Sequence, residues 1–188
     1  MSEATAATAA ATAGANVPAS VMGHFINDNT YPAIIIGQNL VSFSGDPNTS
    51  SFWLVVVDLT NLSVAVNTTT NSVTVPPAVQ QYLGNSRYFL FCVSNAGQAY
   101  NVPHGDLYAF LQKVGSGPQL AAAEQIIGQM GTATIHTYSY ILATTMDISD
   151  YSGFEAFSTH HYTLLAMQFM PVTVNGQTTY APINPFAS

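Results

Sequence analysis

Charge is what this chain of 188 residues most lacks. Only 6% of its residues are Asp, Glu, Lys or Arg, against about 25% in an ordinary soluble domain. Just two are basic, Arg87 and Lys113. That scarcity excludes nucleic acid as a partner, because neutralising several phosphates takes several cations. It also argues against docking on anionic lipid. The single Cys92 excludes an internal disulfide framework. Its setting, Tyr88 to Val93, reads as a buried strand in which a free Cys behaves as a small hydrophobe. No apolar run approaches the ~20 residues that span a bilayer. The N-terminus has neither a basic n-region nor a continuous apolar h-region, so it does not read as an ordinary secretory signal. The net charge of −7 comes from missing bases rather than from acidic blocks.

Apolar residues, by contrast, are plentiful at 48% of the chain, enough for a sizeable core and too many for a disordered body. Residues 1–20 hold nine Ala among Thr, Ser and Gly, an arm with little to bury. One folded domain is expected over 21–188.

The body begins with short β-rich runs set apart by Gly, Pro, Asn and Ser: Ala33 to Gly37, Asn39 to Phe43, Phe52 to Asp58 and Leu62 to Val66. Phe52 to Val57 is apolar on both faces and predicts a central strand; Leu62 to Val66 alternates and predicts one wet face. Tyr88 to Ser94 predicts a second fully buried strand. Two helices follow. His104 to Val114 places Leu107, Phe110 and Leu111 on one stripe. Pro118 to Met130 has Pro in its first turn, Leu120, Ala123, Ile127 and Met130 at helical spacing, and Gly131 as a stop. Thr134 to Ala143 reads as a strand, Asp147 to Ser158 as a loop with one helical turn, and His161 to Met170 as a strand. Asn175-Gly176 signals a type I′ hairpin leading into Gln177 to Tyr180. The order implies an α+β fold: a mostly antiparallel or mixed sheet, two central helices packed on it, and an extended N-terminal arm.

Chemistry-bearing patterns are few. Asp147, Asp150 and Glu155 flank Gly153 and could offer oxygens to a hard cation such as Ca²⁺, but their spacing does not fit the EF-hand loop. A solvated loop is the favoured reading, with no metal and no cofactor. His160 and His161 are adjacent in a strand and point to opposite faces; His24, His104 and His136 have no partner at ligand spacing. Gly115-Ser116-Gly117 precedes a helix whose N-terminus could hold an anion, yet no Lys or Ser/Thr completes a P-loop. No nucleophile elbow is present, so no catalytic residue is assigned and the protein is expected not to be an enzyme.

The stretch from Phe52 to Phe157 resembles the interleukin-like EMT inducer family and the related GG domains. The residues that carry the resemblance are Trp53 to Val57, Tyr88 to Val93, the block Glu124 to Ile135, and Gly153-Phe154-Glu155. The resemblance implies an α+β fold without catalysis, and some GG domains bind carbohydrate. The family's paired Gly, its Cys residues and its basic residues are missing here, so no sugar-binding residue is carried over.

A surface of Asn, Gln, Thr, Ser, Tyr and Ala has little charge to keep copies apart. The expectation is therefore a structural subunit that associates with copies of itself in a fibre, filament, virion component or array. Its arm would reach neighbours, anchored by Val17, Val21, Met22 and Phe25. The alternative is a module for neutral glycans that uses Tyr100, Tyr151 and Tyr162. The assembly reading places the protein on a particle surface or outside the cell, and a cytoplasmic setting stays open.

Overall fold

The computed structural model describes residues 14–24, 31–46, 49–95, 102–130, 138–149, 153–159 and 162–184. Among the described residues, ten strands and three helices follow one another in the order β1 (Val17–His24), β2 (Ala33–Ile36), β3 (Asn39–Val41), β4 (Phe52–Asp58), β5 (Ser63–Thr70), α1 (Pro77–Gln80), β6 (Tyr88–Ser94), α2 (Gly105–Lys113), α3 (Pro118–Met130), β7 (Ser139–Thr145), β8 (Gly153–Ser158), β9 (Tyr162–Val174) and β10 (Gln177–Ile183). They build two five-stranded sheets. The first has the order β10-β9-β1-β2-β3 and the second β5-β4-β6-β7-β8. Every described pairing is antiparallel.

The apolar runs explain the layering. A strand whose successive side chains are all apolar needs cover on both faces. Phe52, Leu54, Val56, Leu90, Cys92 and Leu142 point to one side of the second sheet, where Val79 of α1, Leu107, Phe110 and Leu111 of α2, and Leu120 of α3 meet them. Trp53, Val55, Val57, Phe89, Phe91 and Ile141 point to the other side, against Ala19, Val21, Ile34, Ile36, Met167 and Phe169 of the first sheet. The α+β fold is thus three layers, with the helices, the second sheet and the first sheet in that order. Phe89, Phe91 and Phe169 interlock edge to face between the sheets, with centroids 5.1 to 6.4 Å apart. Burying each such side chain stabilises the fold by about 2 kcal/mol.

Several expectations hold at residue level. β4 and β6 have the predicted bounds and are wholly buried apart from Tyr88. α2 buries the predicted stripe, and α3 spans Pro118–Met130. The β9–β10 hairpin turns on Asn175 and Gly176 at φ 51° and 77°, the left-handed pair that a type I′ turn requires.

Others are corrected. The arm does not extend to residue 20, because Val17–Ser20 open β1, which pairs with β9 on one side and β2 on the other. Pro18, Ala19 and Ser20 have modest strand propensity, and pairing with β9 along the whole segment, joined by β2 from Ala19 on, holds them there. The expected loop from Asp147 to Ser158 contains β8, which pairs with β7 from Ser139↔Ser158 to Thr144↔Gly153. β5 continues to Thr70, and α1 was not expected. Residues 134–137, which belong to the expected Thr134 to Ala143 strand, lie outside the described residues, and β7 runs on to Thr145.

Candidate functional site

Among the described residues, the first sheet has one covered face and one bare face. Alternation along its strands sends Ala19, Val21, Ile34, Ile36, Met167 and Phe169 inward. It sends Pro18, Ser20, Met22, Ile35, Leu40, Leu164, Ala166, Gln168 and Met170 outward; across the strands Ile35 pairs with Ser20 and Leu40, and Leu164 with Met22. Leu40 and Leu164 are each 64% exposed, and Ile35, Tyr162 and Met170 are exposed as well. Isolated exposed apolar side chains are common, but a contiguous patch of them marks an interaction surface. None of the five strands contains an Asp, Glu, Lys or Arg.

Two shallow hollows indent this side. One, of about 330 Å³, is walled by Pro18, Ser20, Ile35, Gly37, Ala166 and Gln168. The other, of about 590 Å³, lies at the β2–β3 edge between Met22, Tyr31, Pro32, Leu40 and Phe43. Its aromatic wall is fixed from behind. Tyr31 stacks on Phe43 with centroids 6.2 Å apart, and Phe43 stands edge-on to Trp53 at 5.4 Å. The Trp53 indole donates to Asn67 at 2.7 Å, and Asn67 donates on to the Ser42 carbonyl at 2.8 Å.

The charge is gathered elsewhere. Among the described residues, Asp46, Asp58, Arg87, Asp106, Lys113, Glu124, Asp147 and Glu155 all sit on the second sheet, its helices or the loops leading to them. Arg87 donates two side-chain nitrogens to Asp58, which also accepts from the Thr60 amide at 2.9 Å. The Arg87 guanidinium beside it holds the Asp58 carboxyl down at about 2.

Glu155, weighed as a cation ligand but read as part of a solvated loop, is committed inside the chain. One of its carboxylate oxygens accepts from the Gly117 amide at 3.0 Å and the Gln119 amide at 3.1 Å, and the other accepts from the Tyr140 hydroxyl. The anion at the α3 N-terminus is therefore this side chain, placed where the helix dipole and free amides favour negative charge. Burial, then Glu155 itself, pushes the Tyr140 hydroxyl well above its ordinary value. Asp147 accepts from the amide and hydroxyl of Ser149, and Asp150 lies outside the described residues. No group of three or more His, Cys, Asp or Glu comes together among the described residues.

Of the expected arm anchors, Val21 is buried in its own core and Val17 packs against that core, while Met22 lies on the outer face. Phe25 lies outside the described residues. So do Tyr100 and Tyr151, as well as His136, His160 and His161. Tyr162 is 57% exposed where β9 begins. His104 sits at the head of α2, with Nδ1 2.9 Å from the Val102 carbonyl. Cys92 is fully buried, and burial pushes its thiol far up, which leaves it unreactive. At the His24 end of β1 the buried Ser94 hydroxyl accepts from the Tyr140 amide and donates to the His24 carbonyl, a backbone tie between the sheets.

The sequence reading missed Ile35, Leu40, Leu164 and Met170. Their local signal was alternation alone, because the expected architecture was a sheet under two helices and did not assign the strands to two stacked sheets. No known family model matches the chain, and no curated protein is detectably similar to it.

Proposed function

We propose that the protein is a non-enzymatic structural subunit that associates with copies of itself, its N-terminal segment contacting neighbours. The observation that carries this reading is the first sheet, whose five strands hold no Asp, Glu, Lys or Arg and which no described residue covers on its outer face. Apolar area in that position gains about 25 cal/mol for each Å² taken from water, and no charge has to be desolvated to bury it.

The test is the mass of the native particle in solution, by light scattering. A regular assembly well above 19.9 kDa is the expected result; a monomer at every concentration overturns it. A chain lacking residues 2–13 measures the contribution of the arm. The deletion stops there because Val17–Ser20 are part of β1.

One observation favours a second reading, a module for neutral glycans. Tyr162 and Tyr31 are exposed aromatic faces, and Tyr31 lines the larger hollow. A glycan array with no binder above background overturns it.

A further inference from the structure

Resting on the self-association reading, we infer that the contact is the outer face of the first sheet, and that its occupant is a second copy of this chain seated through the same face. Three observations converge on this occupant. The first is electrostatic. The chain carries a net charge of −7, so copies repel wherever their charged sides meet. Packed sheets are about 10 Å apart, and the described acids and bases lie on the second sheet, beyond it, or in the loops leading to it. Two copies meeting at their first sheets keep most of those charges roughly two such layers apart, well over the screening length of about 8 Å at physiological salt. A charged partner of another kind finds no counter-charge in these strands.

The second observation is size. Five strands about 4.8 Å apart, with about seven residues each at about 3.3 Å, make a patch on the order of 600 Å² in plan. With the relief of Leu40 and Leu164, each 64% exposed, that approaches the roughly 800 Å² per partner of a standard specific interface. The third is where the chain enters. The Asn16 side chain donates to the Gln168 side chain at 2.9 Å, and Gln168 belongs to the outer face. The 13 residues before Gly14 thus start beside the patch. A contact of one patch with itself is the usual geometry of a two-fold pair.

The experiment compares full-length Leu164→Lys, Leu164→Glu and Leu40→Lys with Ile148→Lys, by sedimentation across a range of concentrations. Circular dichroism confirms that each variant is folded. Ile148 is exposed and lies outside the first sheet. The three first-sheet variants should each weaken association by roughly a hundredfold, whichever the sign of the new charge, because an unpaired charge is then buried in the contact. Ile148→Lys should leave association unchanged. A parent that associates while the first-sheet variants associate equally well overturns this face and leaves self-association standing. Loss confined to one sign of charge at Leu164 points to a charged partner and overturns the second copy as occupant. Equal loss in Ile148→Lys also overturns the assignment. A parent that stays monomeric throughout overturns both the face and the reading beneath it.

Discussion

The second sheet is covered on both faces, by helices on one side and by the first sheet on the other. The first sheet has the same number of strands and the same antiparallel pairing, yet the described residues cover only one of its faces. The covered sheet lies among the described charges, including the Asp58–Arg87 pair and the Glu155 carboxylate at the head of α3. The bare sheet has none in its strands and keeps Leu40, Leu164 and Met170 exposed. Among the described residues, charge accompanies the sheet that is covered on both sides, and the sheet with an exposed apolar face has none in its strands.

Breaking the covered side should cost most. Leu54→Ala removes a fully buried side chain between the second sheet and the helices. It should destabilise the fold by about 3 kcal/mol in urea unfolding. Next comes the seam between the sheets. A Cβ on Gly23 would stand 2.8 Å from the Ser139 hydroxyl and 3.2 Å from the Tyr140 carbonyl oxygen, and the backbone cannot move aside. Gly23→Ala should therefore cost about 2 kcal/mol by the same assay.

Glu155→Gln removes the negative charge from the α3 N-terminus but keeps the shape of the side chain. A loss of about 1 kcal/mol is expected, with faster amide hydrogen exchange in the first turn of α3 than elsewhere.

Acid should act on the charged side alone. The Asp58 carboxyl is held at about 2, below its ordinary 3.8. Its stabilising effect is complete above the unfolded value and is lost as pH falls from about 4 through about 2. The urea midpoint of Asp58→Asn should accordingly fall less than that of the parent over this window.

The smallest effect belongs to the bare face. In dilute monomer Leu164→Ala should change stability by no more than about 0.5 kcal/mol. A larger loss there would mean that the face is already covered within one copy, and the contrast between the sheets would fail.

Much of the fold was legible from local patterns. Phe52 to Asp58 and Tyr88 to Ser94 are continuous apolar runs, and such runs have one stable place, the middle of a covered sheet. Pro118 suits the first turn of a helix, and Asn175-Gly176 suits a left-handed turn. Less legible were β1 and β8. Val17–Ser20 lie in a low-complexity setting, and pairing with β9, joined by β2 from Ala19 on, makes them a strand. Glu155 was visible as an acid beside a Gly but not as the partner of Gly117, 38 residues away. The outer face was invisible as a face: Ile34, Ile35 and Ile36 read as one apolar run, and nothing local says that Ile35 alone points to water.

The sequence by itself determined the composition-level facts and the local elements: almost no bases, a chain that must bury much apolar area, and the two central strands, two helices and a hairpin in order along it. These follow from backbone preferences and from the period of the apolar residues, which act over a few neighbours. Tertiary structure alone decided which sheet received the helices, where the arm ends, what binds the head of α3, and which apolar side chains were left outside. Those outcomes depend on how few covering layers the chain supplies for its apolar faces, and on contacts between residues far apart in the chain, which no local pattern encodes.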